Sequence, residues 1–149
     1  MKLKKVLAVF LVVVNAIFQT TFADPAPSAD ALKEVDSLFR ELGTAPANRR
    51  GEIIESLDNL RKTQVPTPNS KATPESPVLS AYGEDPRNRA VLAEAIPALI
   101  DALDGTVKNK AWWILISIQG ACPKPKKEVW QEWWKTTGQK RFTGEALKK

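Results

Sequence analysis

Histidine is absent from this 149-residue chain, and cysteine occurs once, as Cys122. Without an imidazole there is no Ser-His-Asp or Cys-His nucleophile, no ordinary zinc site and no histidine pH switch. One cysteine makes no internal disulfide, so even in an oxidising compartment the fold has to be held by packing. Two roles stay open for Cys122: a small buried hydrophobe near a helix terminus, or a thiol that reacts or bridges to another molecule. Glycine-rich phosphate loops and acidic calcium loops are lacking as well. Carboxylates recur one helical turn apart, at Glu52/Glu55, Asp101/Asp104 and Glu128/Glu132. Each pair flanks an amphipathic face, whereas glycoside hydrolysis needs two acids facing a sugar across about 5–10 Å, ordinarily from different elements. The expectation is a protein that is not an enzyme and carries no cofactor or metal.

One long hydrophobic run is present, near the start. Lys2, Lys4 and Lys5 precede an apolar stretch from Val6 to Phe18 that is interrupted only by Asn15. Thr21-Phe22-Ala23 then offers small residues at the −3 and −1 positions of a cleavage site. Residues 1–23 therefore read as a Sec-type signal peptide cut after Ala23, placing the mature protein in the periplasm or outside the cell. The run is short for a span of about 20 residues, so no stable membrane span is expected after cleavage. Cys122 is far from this segment, which excludes a lipid anchor attached there. Cleavage takes three of the 22 basic residues and none of the 17 acidic ones, leaving a formal charge of +2. A charge that small gives no reason to expect a nucleic-acid partner.

The rest of the chain is patterned for helices. After a Pro/Ala-rich lead-in at 24–29, Leu32, Val35, Leu38, Phe39 and Leu42 mark one face of a helix over Asp30–Leu42. Ser28 or Asp30 can cap its start and Gly43 its end. Asn48–Lys62 forms a second helix, with Ile53, Ile54, Leu57 and Leu60 on one side. Residues 63–84 hold Pro66, Pro68, Pro74 and Pro77 among Ser, Thr and Asn. Such a stretch is either a linker or a binding loop, with one capped turn at Ser76–Tyr82 pinning it to the core. Asp85-Pro86 then opens a new helix. Val91, Leu92, Ala95, Ile96, Leu99, Ile100 and Leu103 recur at helical spacing, Asp104-Gly105 breaks the run, and Ala111–Ile118 is apolar nearly all round. The two halves must fold back as a hairpin.

The first helix pair matches the second at a constant offset of 61: Val35, Leu38, Phe39 and Leu42 against Ile96, Leu99, Ile100 and Leu103. Ile53, Ile54 and Leu57 fall against Ile114, Leu115 and Ile118 at the same offset. Repeated helix pairs stack and bury one continuous core between neighbours.

The segment AIPALIDALDGTVKNKAWWILISIQG resembles a HEAT or HEAT-like repeat. That family shows a first helix with a proline in an apolar pattern (here Pro97), a short acidic or glycine turn, and a second helix with a basic start and a small-residue end. The following VWQEWWKTTGQ is similar to the tryptophan-rich tail after HEAT-like arrays in some exported bacterial proteins. Trp112-Trp113 depart from the small residues commoner at that point, and the long insert separates the repeats. The resemblance implies an all-α stack of HEAT-like hairpins, an α-solenoid fragment of 30–62 and 85–121 closed by a tryptophan-rich helix within 122–149. It implies protein contacts and nothing catalytic.

Within Glu128–Thr137, Trp130, Trp133 and Trp134 share a face, and Gly138 is expected to stop the helix before a frayed basic tail. Three indoles bury on the order of 150–250 Å² each. Either they pack on Trp112, Trp113 or Ile116 as a cap, or part of the face is open to a protein partner or an envelope glycan. The candidate binding surface is Trp112, Trp130, Trp133, Trp134 and Tyr82. Lys108, Lys110, Lys124, Lys126 and Lys127 form a modest basic edge near the tryptophans.

Overall fold

A computed structural model describes residues 27–63, 76–119 and 124–143. The expected signal segment and cleavage site, most of the lead-in, the central proline-rich stretch and Cys122 lie outside the described residues.

Seven α-helices and no strand occur among the described residues, so the fold is all-α. Helix α1 spans Ala29–Thr44, and Ser28 caps it by accepting from the Ala31 N–H at 3.1 Å. Its apolar stripe buries Val35, Phe39 and Leu42. Gly43 does not end this helix. An added Cβ there would sit 2.9 Å from the Cβ of Glu94, so the glycine permits close approach of another helix. Helix α2 (Ala47–Thr63) buries Ile53, Ile54 and Leu57 and, unexpectedly, Asp58.

The end of the insert forms a full helix, α3 (Pro77–Glu84), with Val78, Leu79 and Tyr82 in the core. Its start is tied down by the Ser76 N–H, which donates to Ser117 Oγ at 3.4 Å. A 3₁₀ turn at Pro86–Asn88, capped by Asp85, leads into α4 (Arg89–Asp101), which carries Pro97 inside it. A second 3₁₀ turn at Ala102–Asp104 reverses the chain into α5 (Lys108–Gln119), buried on most sides.

Helix α1 lies along α4 and α2 along α5, while each hairpin also closes on itself. The residues related by the 61-residue offset line this shared core: Val35, Phe39, Leu42, Ile53, Ile54 and Leu57 from the first hairpin, and Ile96, Leu99, Ile100, Leu103, Ile114, Leu115 and Ile118 from the second. Of that set only Leu38 remains half-buried while its counterpart Leu99 is sealed. Helix α3 covers α5 and α1.

Helix α6 (Lys127–Trp133) continues through a π-helical stretch at Trp134–Gly138 into α7 (Gln139–Phe142). Gly138 therefore does not stop the helix. It is buried, and a Cβ would lie 2.6 Å from Trp134 and 2.9 Å from Trp133, so the bare backbone lets both indoles fold across it. The expected fraying does not begin there: the helix runs on to Phe142, which is buried against Trp134, and residues 144–149 lie outside the described residues. The main neighbour of α6 and α7 is α4, not the α5 residues Trp112, Trp113 and Ile116. Among the described residues no helix is long and apolar enough to cross a membrane.

Candidate binding site

The five aromatic residues expected at a binding surface part company in the structure. Trp130 has 0% exposure, and its ring meets Trp133 edge-on at 5.4 Å. Its Nε1 is buried with no hydrogen-bond partner among the described residues. Tyr82 is buried too, stacked on Phe39 at 5.2 Å with its hydroxyl donating to Asp36 Oδ1 at 2.7 Å. Both are core residues. Trp112, Trp133 and Trp134 remain half-buried and keep part of their rings at the surface.

Two surfaces follow from that sorting. The first lies on the face shared by α2 and α5. Trp112 and Trp113 sit side by side, ring centroids 4.6 Å apart, and the Arg61 guanidinium lies over the Trp113 ring at 5.8 Å. Arg61 is fixed from behind because its Nε donates to Asp58 Oδ1 at 2.8 Å. Lys62 holds the other oxygen of Asp58, also at 2.8 Å. Burial opposes ionisation of Asp58, but the hydrogen bonds from Lys62 and Arg61 outweigh it and hold the carboxyl below its usual range. The guanidinium is thus clamped between a carboxylate and an indole, a geometry that favours arginine over lysine. Sequence reasoning placed Trp112 in the candidate binding surface, took Trp113 only as a packing residue and did not single out Arg61, because no local spacing joins residues on two helices.

The second surface runs along α4. A cleft of about 270 Å³ is lined by Pro97, Ile100, Asp101, Gln131, Trp134 and Lys135. A neighbouring cleft of about 230 Å³ includes Arg50, Gly51, Ile54, Ala98, Asp101 and Thr106 in its lining. Asp101 lines both. Its side chain is 58% exposed, and its carboxylate faces Arg50 at 3.8 Å and Lys127 at 3.6 Å. Trp134 is backed by Phe142, stacked at 6.2 Å, so the indole is held rather than loose. A third hollow, about 290 Å³, opens beside the Tyr82–Asp36 bond, with Lys33, Asp85 and Arg87 on its rim.

The basic edge is partly consumed within the protein. Lys110 pairs with Glu55, and Lys127 donates to Asp104 at 2.9 Å. Hydrogen bonding to those lysines lowers the pKa of Glu55 and of Asp104, and Asp104 raises that of Lys127. Of the carboxylates counted above as pairs, Glu55, Asp101 and Asp104 are engaged with cations, the last two sharing Lys127. Among the described residues no group of three or more acidic or cysteine side chains is placed to hold a metal ion. Compared with known proteins, the chain matches no family model, no curated protein and no solved structure.

Proposed function

We propose that this chain is an exported, non-catalytic module that binds another protein through the shared face of α2 and α5, its two hairpins forming a short HEAT-like stack. The observation that carries this reading is the clamped Arg61 over Trp113 with Trp112 beside it. Tryptophan and arginine are the residues most enriched at the energetic centres of protein interfaces. Holding them in advance lowers the ordering cost of association. Stacked helix pairs present continuous surfaces of this kind, and their binding face needs no convergent acid or base. Export rests on the N-terminal segment, with its basic start, apolar run and Thr21-Phe22-Ala23 site.

The test is a photoreactive amino acid placed at exposed Asn59, on α2, in protein expressed in its own envelope. The expected result is a discrete cross-linked protein partner that is lost in Trp112→Ala, with the melting temperature kept. A cross-link undiminished by Trp112→Ala and by Arg61→Ala overturns the assignment. Mass spectrometry of the exported product tests the address: the mature chain should begin at Asp24, and retention of residues 1–23 in the cytoplasm would refute it.

A further inference from the structure

We propose that the paired clefts around Asp101 are a carbohydrate site, with one sugar ring on Trp134 and the next across Asp101 beside Arg50. This surface shares helix α2 with the face assigned to a protein partner but includes none of Arg61, Trp112 and Trp113.

Size points first to small rings. The two clefts, about 270 and 230 Å³, fall just below the range of about 300–1,000 Å³ that holds a drug-sized molecule. Each suits one ring, and their common wall suits a linked pair. A helix or folded segment would need a longer uninterrupted trough.

Lining chemistry narrows the class. Trp134, Pro97 and Ile100 supply an apolar wall, matched to the C–H face of a pyranose. Around that wall stand an acceptor (Asp101), an amide that both accepts and donates (Gln131) and a donor (Lys135). Hydroxyl groups need that mixture, because each donates once and accepts as well. Across Asp101, Arg50 and Thr106 continue the mixed set. Asp101 is suited to sit between two rings: its side chain is 58% exposed, and its Oδ1 and Oδ2 face Lys127 at 3.6 Å and Arg50 at 3.8 Å, contacts too long to use up the acceptor capacity of a carboxylate.

Charge disfavours a phosphate. Arg50 and Lys127 are opposed by Asp101, and Lys127 also by Asp104, so of the cations around the clefts Lys135 alone stands without an opposing carboxylate among the described residues, and Asp101 itself repels an anion. The polar rim equally disfavours a hydrocarbon chain. The ligand is a neutral saccharide of at least two units.

The experiment uses the mature protein with ¹⁵N-labelled indoles, titrated with cellotetraose, chitotetraose and the corresponding monosaccharides. A saturable shift of the Trp134 Nε1–H signal by a tetrasaccharide is expected, with tighter binding than the monosaccharide. Gln131→Ala, on an exposed side chain, should weaken binding about tenfold, the loss of one hydrogen bond. Asp101→Asn should weaken it in both clefts, and Trp134→Phe should keep the fold while reducing affinity. The proposal fails if millimolar tetrasaccharides leave the Trp134 signal unmoved. It also fails if the shifts fall on Trp112 and Trp113 instead, or persist undiminished in both Gln131→Ala and Asp101→Asn. Loss of the Asn59 cross-link with sugar binding retained would remove the protein-binding proposal alone.

Discussion

The Tyr82 hydroxyl donates to the Asp36 carboxylate at 2.7 Å and so ties α3, the end of the proline-rich insert, to the first helix of the fold. Arg40 braces the same carboxylate from the next turn of α1, at 2.7 Å. Hydrogen bonding from Arg40, and then from Tyr82, holds Asp36 below its ordinary value of 3.8, against the effect of burial. Burial, and then the bond to Asp36, pushes the Tyr82 phenol above its ordinary value of 10.0.

Stability should therefore fall at both ends of the pH range. The depressed Asp36 contributes stability above its unfolded pKa and loses it as pH drops through the folded value. The raised Tyr82 contributes below about pH 10 and loses it at higher pH, where only the unfolded phenol ionises. Chemical denaturation against pH should show Tyr82→Phe destabilised by about 1 kcal/mol at neutral pH, with a shallower alkaline decline. An alkaline limb identical to that of the parent protein would refute this account.

Gly83 and Gly51 should respond to alanine with opposite signs. At Gly83 an added Cβ would stand 2.3 Å from the Ile118 carbonyl oxygen and 2.8 Å from its Cα, both backbone atoms. Helices α3 and α5 would have to separate, so Gly83→Ala should cost at least about 1–3 kcal/mol. Gly51 lies in α2 with nothing within 4 Å of its Cβ position, so Gly51→Ala should stabilise by about 0.5–1 kcal/mol. Thermal unfolding of the two variants decides it.

Asp58 is 1% exposed and carries the charge that anchors Arg61 and Lys62. Its removal deprives Arg61 of its carboxylate while the exposed Lys62 turns to solvent, so Asp58→Ala should cost about 1.5–3 kcal/mol, the range of a hydrogen bond to a charged group. Its depressed pKa adds to the acid limb with the same sign as Asp36: stability is lost as pH falls through the folded value. Urea titrations at pH 7 and pH 3 should show the penalty shrinking at the lower pH. A constant penalty would mean the charge is not what stabilises the site.

Phe142 lies in the segment where sequence reasoning expects fraying, yet it is 2% exposed. Phe142→Ala should cost about 3–5 kcal/mol and red-shift tryptophan emission as the support of Trp134 is lost. Unchanged stability and emission would return the tail to solvent.

The register of the helices was legible because it is local. Val35, Phe39 and Leu42, or Ile96, Ile100 and Leu103, announce a buried stripe through a 3.6-residue period that needs no knowledge of the partner. Caps at Ser28 and Asp85 are equally local, each side chain reaching a backbone N–H two or three residues on. The tryptophan helix shows where such reasoning stops. Trp130, Trp133 and Trp134 are equivalent by spacing, but the first is sealed while the others stay half-buried. A π-helical stretch changes the register after Trp133, and contact with α4 selects which indole is covered.

By itself, then, the order of amino acids determined an all-α chain with reversals near Ala45 and Gly105, and it removed imidazole chemistry and internal disulfides. Tertiary packing alone decided that Asp58 is buried, that Tyr82 is core, and that Arg61 meets Trp113 and Arg50 meets Asp101. The reason is physical: helical periodicity is written in neighbouring residues, whereas burial and charge pairing depend on side chains brought together from distant parts of the chain.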